Sequence, residues 1–462
     1  MSVSGGTGGC AGAGGAAFDL TAASLHGSLA DPALESMNFL NEVAGRYPDA
    51  VSFASGRPTE QFFDAALIHH YIDVFCRYLR EELGYTAEQV NRTLFQYGRT
   101  KGIIHELIAR YLATDEGISA DPEAIVVTVG YQEAMFAVAR ALRADDRDVL
   151  LAVWPAYVGM TGAARLADLP VWPVRSGPDG VDLDDLAGQA GRARAAALRP
   201  RACYLMPDFA NPSGVSMPVP VRERLLEVAG ELGVLLLEDN PYGTFHSGSH
   251  LPTLKALDKN RQVVYLGSFA KTAFPGARIG YAVADQLVAG TDGSVSLLAD
   301  YLSRIKSMLT VNTPSVAQAV VGGKLLAHGF SLARANERET ARYLGNMRRL
   351  LDGLASRFPG QDGGRSPVSW NAPTGGFFVV VTLPFDADDE LMELSARKYG
   401  VLWTPMSHFY AGQGGLRQAR LACSQLPPEQ IDVGLDRFAA MVRDRLGGSA
   451  PGIRAGTGAG LG

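Results

Sequence analysis

Lys271 is one of seven lysines in this 462-residue chain, and it lies in a segment suited to covalent chemistry. A short apolar run at residues 263–266 predicts a buried strand, and residues 267–281 follow it and read GSFAKTAFPGARIGY. A deprotonated lysine amine forms Schiff bases with aldehydes. Arg278, seven positions later, is suited to bind a phosphate with two hydrogen bonds. The segment therefore predicts a site for a ligand that carries both an aldehyde and a phosphate.

This lysine segment resembles a known family signature. Residues 268–281 agree in register at eight positions with the lysine signature of class I/II aminotransferases, which usually reads S-F-S-K-x-x-x-P-G-x-R-x-G-Y. The resemblance implies that Lys271 binds pyridoxal 5′-phosphate (PLP) covalently and moves the substrate's Cα proton. Ala270 stands where the family usually has a second Ser, which removes one possible hydroxyl near the phosphate.

Asp239 lies at the end of another apolar run, in residues 236–243, which read LLEDNPYG. A buried acid is costly unless it has a cationic partner, and the protonated pyridine nitrogen of PLP is such a partner. A carboxylate that caps the following turn explains the local sequence equally well. The family resemblance implies the first role for Asp239 and a hydrogen bond from Tyr242 to the ring oxygen, so both are predicted catalytic residues.

Two further loops resemble the family. Residues 206–214 (MPDFANPSG) give a strong turn signal and resemble F-x-N-P-[TS]-G, which implies that Asn211 contacts the PLP ring oxygen near the substrate carboxylate. Residues 154–157 (WPAY) resemble D-P-x-Y, which implies that Tyr157 stacks on the pyridine ring. Without the resemblance, the first segment is a strand-to-helix turn and Tyr157 is a core residue.

A candidate phosphate site lies where residues 128–134 (TVGYQEA) join a strand to a helix. Backbone N–H groups at a helix start bind anions without a charged side chain, but most α/β proteins contain such junctions. The segment resembles the family's T-x-G-x-Q phosphate loop. The resemblance implies a phosphate site formed by Gly130, Tyr131, Gln132, Ser268 and Arg278.

Two segments imply contacts beyond the cofactor ring. Residues 95–102 (FQYGRTKG) resemble Q-Y-G-x-x-x-G, whose Tyr reaches the PLP phosphate of the neighbouring subunit. The resemblance therefore implies a homodimer in which Tyr97 of each subunit completes the active site of the other. Residues 420–424 (RLACS) resemble R-L-[SA]-[FC]-[SA], which implies that Arg420 binds the substrate α-carboxylate through its planar fork. A lone arginine on a late strand would otherwise be a solvated edge residue.

Three residues depart from the family pattern in loops that line the substrate cleft of relatives. Arg57, in residues 52–58 (SFASGRP), replaces an apolar residue, and Met406 and His408 fall where the family usually reads P-G-x-x-F. Arg57 is therefore a candidate substrate-binding residue for a distal acid or phosphate. These departures bear on the substrate and leave the PLP prediction unchanged.

Composition argues against several other classes of protein. A net charge of −6 and a pI near 5.8 predict no nucleic-acid partner and no membrane partner. Four scattered cysteines without a CxxC pair argue against disulfides and zinc, and no metal site is predicted. No apolar run approaches the roughly 18 residues that span a bilayer. Residues 1–17 lack the basic-then-apolar order of a signal peptide, so a cytoplasmic location is expected.

Apolar runs alternate with helical patterns through the middle of the chain, which favours a parallel sheet covered by helices on both faces. Five buried strands are predicted, at 124–128, 148–153, 202–206, 234–237 and 263–266. The resemblance, which runs from about residue 37 to 442, implies the α/β architecture of PLP fold type I. That architecture has a large domain with a mostly parallel seven-stranded sheet and a smaller α+β domain. The predicted divisions are a disordered tail (1–17), a segment joining the small domain (18–60), a large PLP-binding domain (61–312), a small C-terminal domain (313–446) and a disordered tail (447–462).

The resemblance implies a PLP-dependent aminotransferase that moves an amino group between an L-amino acid and a 2-oxo acid. Elimination, decarboxylation or carbon–carbon bond formation on the same fold would use the same cofactor residues and stays open. A PLP-sensing transcription regulator would need a DNA-binding domain, for which the Gly-rich residues before the match are too few. An inactive homologue is disfavoured because the cofactor residues are present. Residues 55–58 and 97–100 resemble aminotransferases that make aryl-glycine-type amino acids for natural products.

Overall fold

The helices and strands alternate as the sequence predicts. A computed structural model describes residues 20–248, 250–360, 366–410 and 414–447. The predicted tail 1–17, residues 18 and 19 of the predicted joining segment, and the predicted tail 447–462 apart from Gly447 lie outside the described residues. The strands are β1 (Val51–Ser52), β2 (Ile125–Val129), β3 (Asp148–Trp154), β4 (Val171–Gly177), β5 (Gly180–Val181), β6 (Arg199–Leu205), β7 (Leu235–Asp239), β8 (Val263–Ser268), β9 (Ile279–Val283), β10 (Leu287–Ala289), β11 (Val295–Leu297), β12 (Ser369–Trp370), β13 (Phe378–Thr382), β14 (Val401–Leu402), β15 (Thr404–Pro405) and β16 (Gln418–Ala422).

Helices connect these strands and flank the sheets. They are α1 (Pro32–Arg46), α2 (Ala65–Glu81), α3 (Ala87–Phe95), α4 (His105–Tyr111), α5 (Tyr131–Leu142), α6 (Val158–Leu166), α7 (Leu183–Ala195), α8 (Val219–Leu232), α9 (Leu254–Leu257), α10 (Leu298–Leu309), α11 (Ser315–Ala327), α12 (Leu332–Ala335), α13 (Glu337–Arg357), α14 (Asp389–Leu394) and α15 (Pro428–Gly447). None of these helices, within the described ranges, is long and apolar enough to cross a bilayer.

The large sheet has the order β2-β9-β8-β7-β6-β3-β4-β5. Strands β8, β7, β6, β3 and β4 are mutually parallel, whereas β9 runs antiparallel to both β8 and β2. The predicted mostly parallel seven-stranded sheet is confirmed, and the two-residue strand β5 adds an antiparallel edge. Neither β4 nor β9 is among the five predicted strands, because Pro173 and Gly280 weaken their strand signal.

Both faces of the large sheet are covered by helices, which explains why its strands are almost wholly apolar. Along β2, Val126 packs with α5, α6 and α10 on one face, whereas Ile125 and Val127 pack with α2, α4 and α11 on the other. Towards the β4 edge, α7 and α8 cover that second face. The carboxyl ends of the parallel strands therefore meet along one edge of a rigid, two-sided core.

A four-stranded antiparallel sheet, in the order β12-β13-β16-β15, forms the second part of the fold. Its core includes side chains from α13 and α15, and β1 joins it from the N-terminal side by pairing Val51 with Val401. Asn336 separates α12 from α13. The boundaries at residues 60 and 312 stay predictions.

Candidate active site

The sequence-predicted residues of the large sheet converge at the carboxyl ends of its strands. Asp239 ends β7, and Lys271 lies three residues after β8. Tyr157, Asn211 and Gly130 follow β3, β6 and β2. Open α/β sheets bind ligands at this edge because the loops after parallel strands meet there. The structure therefore brings into one cleft loops that lie far apart in sequence.

The Lys271 amine lies inside this cleft and donates a hydrogen bond to the Gly56 carbonyl at 2.7 Å. Burial lowers the pKa of Lys271 to about 8, and the positive charges of Arg420, Arg57 and Arg278 act in the same direction. A substantial fraction of the amine is therefore neutral near pH 8. A neutral amine is the form that attacks an aldehyde or accepts a proton.

Asp239 is fully buried, and only one of its carboxylate oxygens has a partner. The Tyr204 hydroxyl donates to Oδ2 at 2.6 Å, whereas Oδ1 is buried with no hydrogen-bond partner among the described residues. Burial raises the pKa of Asp239 to about 8, and the Tyr204 hydrogen bond opposes this shift. An orphaned carboxylate oxygen in a buried site needs a cationic N–H group, and a pyridinium nitrogen fits that need.

The predicted phosphate site has the backbone geometry of an anion cradle. Gly130 precedes α5 with φ of 67°, and a Cβ at Gly130 would collide with Nη2 of Arg278. Gly280 packs just as closely, since a Cβ there would collide with the Tyr131 backbone nitrogen. The two glycines let an arginine and a helix N-terminus approach the same point, which suits a phosphate.

The other two predicted phosphate-site residues use their side chains within the loops. Ser268 Oγ accepts a hydrogen bond from the Ala270 backbone at 3.2 Å. The Gln132 amide donates to the Gly159 carbonyl at 2.6 Å, so its side chain joins two cleft loops. Gln132 can still contribute a backbone N–H because it lies in the first turn of α5.

A hydrogen-bond chain runs from Asn211 through Arg420 to the N-terminal segment. Oδ1 of Asn211 accepts from Nη1 of Arg420 at 2.6 Å. Burial raises the pKa of Tyr242, and Asn211 lies close enough to Tyr242 to act against that rise. Nη2 of Arg420 donates to the Ala54 carbonyl at 2.8 Å and to Thr404 Oγ1 at 3.3 Å. This chain joins the large-sheet loops to β15, β16 and the N-terminal segment.

Arg420 is a buried cation held only by neutral groups among its hydrogen-bond partners. Its guanidinium lies over the Phe378 and Phe409 rings, 4.5 and 4.9 Å from their centroids. Burial lowers the pKa of Arg420 to about 10, so it stays charged at neutral pH. Its Nε is buried without a partner in the described part of the chain. The site therefore offers an unused donor and a positive charge that suit a carboxylate.

Tyr157 lies beside the phosphate cradle. Its ring stacks on that of Tyr131 with a centroid separation of 6.1 Å and an interplanar angle of 13°. Tyr157 also lines a small cavity with Tyr204 and Asn211. The structure thus places an aromatic face in the cleft, next to groups suited to the ring and the phosphate of PLP.

Two predicted site residues lie outside this cluster within one chain. Tyr97 is 83% exposed, and Phe95, two residues earlier, is 79% exposed. The Arg57 side chain is exposed, although its charge helps to lower the pKa of Lys271, and its carbonyl accepts from Ser424 Oγ at 2.6 Å.

Met406 and His408 have structural contacts that the sequence does not reveal. Met406 is buried against Val158 and Phe409. His408 Nδ1 lies 2.9 Å from Ser36 Oγ in α1, and Nε2 lies 2.8 Å from Asp389 Oδ1 in α14. His408 therefore joins α1 to the segment that carries Phe409, one of the rings on Arg420.

Tyr204 and Thr404 belong to the site but carry no motif. Tyr204 is a single hydroxyl in the apolar strand β6, and Thr404 forms β15 together with a proline. A polar group in an otherwise apolar strand is the one local signal that could have indicated Tyr204.

Comparison with known families identifies the protein class. The sequence pattern of the family described as "Aminotransferase class I and II" matches residues 76–438. The chain belongs to the class I and II aminotransferases. A curated relative of this aminotransferase is the (S)-3,5-dihydroxyphenylglycine transaminase of Amycolatopsis orientalis. The two are 57% identical over 432 residues, which cover 94% of this chain and 97% of the relative.

Solved structures of other aminotransferases share the fold. The kynurenine aminotransferase of Pyrococcus horikoshii, in complex with PMP, is 26% identical, with a TM-score of 0.75 over 93% of this chain and 97% of that one. The α-aminoadipate aminotransferase of Thermus thermophilus, complexed with N-(5′-phosphopyridoxyl)-L-leucine, is 28% identical, with a TM-score of 0.74 over 92% and 98%. The predicted fold type I, the PLP cofactor and the transfer of amino groups between amino acids and 2-oxo acids are confirmed.

Proposed function

We propose that this aminotransferase acts on (S)-3,5-dihydroxyphenylglycine or a closely related aryl-glycine, in a pathway to a natural product. The observation that carries this proposal is the 57% identity to a (S)-3,5-dihydroxyphenylglycine transaminase over nearly the whole of both chains. The cleft is compatible with an aryl group attached directly to Cα. Phe409 contacts Arg420 and belongs to an apolar cluster with Val158, Val380 and Met406. That cluster offers apolar contacts beside the group that would hold the substrate carboxylate.

Lys271 is proposed to attach the cofactor covalently and to move the proton at the substrate Cα. When bound, PLP supplies an electron sink for the electrons released at Cα. The lowered pKa of Lys271 and its position in the loop after β8 support its role as the base. Its hydrogen bond to Gly56 holds the amine on the side of the N-terminal segment. With PLP bound, the Lys271 amine would take the proton from Cα and give a proton back, acting first as base and then as acid.

Asp239, Tyr242 and Asn211 are proposed to hold the cofactor ring. The orphaned Oδ1 of Asp239 would accept the pyridine N–H, and the pairing would restore the low pKa that burial opposes. The Tyr242 and Asn211 side chains, which lie close together, would share the ring oxygen. Tyr157 would then lie against the ring face.

The phosphate is proposed to lie at the cradle in front of α5. There the free N–H groups of Tyr131 and Gln132 and the Ser268 hydroxyl join the Arg278 guanidinium, with Gly130 giving the close approach.

Arg420 is proposed to bind the substrate α-carboxylate. A buried guanidinium with neutral partners and an unused Nε gains most from a ligand that brings a negative charge. The rings of Phe378 and Phe409 lie against the planar guanidinium and fix its direction. Arg57, near the same cleft, is proposed to contact the distal part of a substrate.

A homodimer with shared sites is also proposed. Tyr97 and Phe95 project into solvent, 83% and 79% exposed, although the loop behind them is firmly held. Lys101, six residues after the end of α3, is buried and pairs with Asp300 at 2.6 Å. A rigid loop that exposes two aromatic side chains is suited to contact a second copy, where Tyr97 would reach the cofactor phosphate. The cytoplasmic location stays a prediction.

The substrate proposal is tested by following one half-reaction. Purified PLP-loaded enzyme is mixed with (S)-3,5-dihydroxyphenylglycine in the absence of any oxo acid, and the absorbance of the bound cofactor is recorded. The absorbance is expected to change stoichiometrically, once per site, and to recover when a 2-oxo acid is added. Matched amino acids are the R enantiomer, phenylglycine without hydroxyls, kynurenine and 2-aminoadipate.

Each result has a defined meaning. A half-reaction that is fastest with the dihydroxylated S aryl-glycine supports the proposal. A cofactor that responds to 2-aminoadipate or kynurenine but not to aryl-glycines contradicts it. Continuous consumption of one amino acid without an oxo acid would instead indicate elimination or decarboxylation.

A further inference from the structure

Lys324 is a second lysine that touches the Lys271 loop. It lies on α11, and its Nζ donates to the Thr272 carbonyl at 2.7 Å and to Asn336 Oδ1 at 3.4 Å. Thr272 is the chain neighbour of Lys271, so the amine of Lys324 is bound one peptide away from the proposed cofactor lysine. No motif in the sequence indicates this contact.

The helix that carries Lys324 is a fixed support. It packs so closely on α2 that a Cβ at Gly323 would collide with the Tyr71 carbonyl oxygen. A Cβ at the adjacent Gly322 would lie 3.0 Å from the side chains of Phe75 and Ile104. Since any movement of α11 towards α2 would produce a backbone clash, the position of Lys324 is set by the large domain.

The turn that Lys324 holds has few other anchors. Within the turn, the Ala273 backbone nitrogen donates to the Phe269 carbonyl at 2.8 Å. The Thr272 hydroxyl is buried and has no hydrogen-bond partner among the described residues. The contact from Lys324 therefore supplies a charge-assisted bond at the point where the chain turns after Lys271.

Lys324 and Lys271 also share an environment. Both side chains line one cavity of about 690 Å³, together with Thr59, Phe274 and Tyr343. Burial lowers the pKa of Lys324 to about 8, as it does for Lys271, and the negative charge of Glu339 opposes the shift of Lys324. The amine of Lys324 thus binds the loop within the cavity that Lys271 also lines.

We propose that Lys324 is a positioning residue for Lys271: by binding the Thr272 carbonyl it fixes the turn and thereby the direction in which the Lys271 amine points. This inference rests on the proposed role of Lys271 as the residue that binds PLP. Lys324 acts through the loop and touches neither substrate nor cofactor.

The test compares Lys324→Met, which removes the donor and the charge, with Lys324→Arg, which keeps both. Lys306→Met is the matched control, because Lys306 is another buried lysine with a lowered pKa, whose amine contacts Thr310 instead of the loop. The main readout is the pH midpoint of the absorbance change of the PLP-loaded, substrate-free enzyme. Steady-state kcat and KM are measured alongside.

Lys324→Met is expected to shift the pH midpoint by on the order of half a unit to one unit, because a displaced Lys271 amine changes its distance from the cations that lower its pKa. Displacement of the Lys271 amine is expected to lower kcat by about ten- to a hundredfold with little change in KM. Lys324→Arg should return both quantities towards wild type, and Lys306→Met should leave the midpoint unchanged. If Lys324→Met does not fold, Lys324→Gln replaces it, because glutamine is too short to reach the Thr272 carbonyl.

An unchanged midpoint in a folded, PLP-loaded Lys324→Met or Lys324→Gln enzyme would overturn the inference. A midpoint that moves equally in Lys306→Met would also overturn it, because the effect would then be general. Borohydride reduction of the wild-type enzyme separates this failure from that of the proposed function. If borohydride does not attach the cofactor to Lys271, the role of Lys271 itself is wrong.

Discussion

The two walls of the active site differ in how the chain builds them. The cofactor wall consists of Gly130, Asp239 and Lys271, which lie directly after strands of the large sheet. The substrate wall centres on Arg420, whose partners Ala54 and Asn211 lie 366 and 209 residues away in sequence. Each residue of the first wall belongs to a local motif at the end of one strand, and the wall rests on a rigid core. The second exists only when the two parts of the fold pack together.

The walls also carry opposite unmet charges. On the cofactor wall, the buried carboxylate of Asp239 has one oxygen without a partner among the described residues. On the substrate wall, the hydrogen-bond partners of Arg420 are all neutral. Each wall therefore lacks the ion that a different part of the bound ligands would bring, a pyridinium on one side and a carboxylate on the other. This arrangement separates the binding of cofactor from the choice of substrate.

Replacing Lys271 with Ala should have the largest effect, because it removes the base of the cofactor wall. Transfer of the Cα proton is expected to slow by about 10²- to 10⁴-fold or more, since general base catalysis contributes that much. PLP should still bind noncovalently through the remaining wall. The measurement combines rapid-mixing half-reactions with borohydride reduction and peptide mapping. Attachment of the cofactor to a different lysine in the wild type would contradict the assignment.

Replacing Arg420 with Ala should break the substrate wall alone. Loss of a charge-assisted bidentate contact costs about 2–4 kcal/mol, which weakens amino-acid binding by tens- to several-hundredfold. PLP should still bind and absorb, with the pH midpoint of its absorbance change raised, because Arg420 is one of the cations that lower the pKa of Lys271. Arg349→Ala is the control, because Arg349 is a half-exposed arginine of the second part, paired with Asp432. Normal amino-acid affinity in Arg420→Ala would place the carboxylate site elsewhere.

Replacing Tyr97 with Phe should have the smallest of the three effects. It tests whether the cofactor phosphate is bound by residues of one chain alone or also by Tyr97 of a second chain. Loss of a hydrogen bond to a charged phosphate costs about 1.5–3 kcal/mol, so PLP affinity should fall roughly ten- to a hundredfold. Mixing Tyr97→Phe with Lys271→Ala subunits should restore activity, because a heterodimer would hold both lesions in one site and leave the other intact.

The control for this experiment is demonstrated subunit exchange by mass spectrometry. Recovery of activity in the mixture supports a tyrosine that acts across the dimer. Full exchange without recovery would mean that Tyr97 acts within its own chain or not at the phosphate.

The sequence by itself determined most of the large sheet. Each of the five predicted strands is present, because buried parallel strands are short apolar runs that need no distant information. The lysine segment and the family it indicates are also local, since all eight matching positions lie within fifteen residues. Strands β4 and β9 were missed because their proline and glycine are tolerated only through pairing with neighbouring strands.

Only the tertiary structure decided how the site is supported. Tyr204 donates a hydrogen bond to Asp239 on the neighbouring strand, and Lys324 on α11 donates one to the Thr272 carbonyl. His408 contacts Ser36 of α1 and Asp389 of α14. These contacts depend on side chains that come together when separate elements pack, and a single polar residue in a helix or strand has no local pattern. A sequence motif reveals functional residues that lie close together in the chain and act in the same site. The partners that orient those residues lie in other elements, so packing alone assigns them.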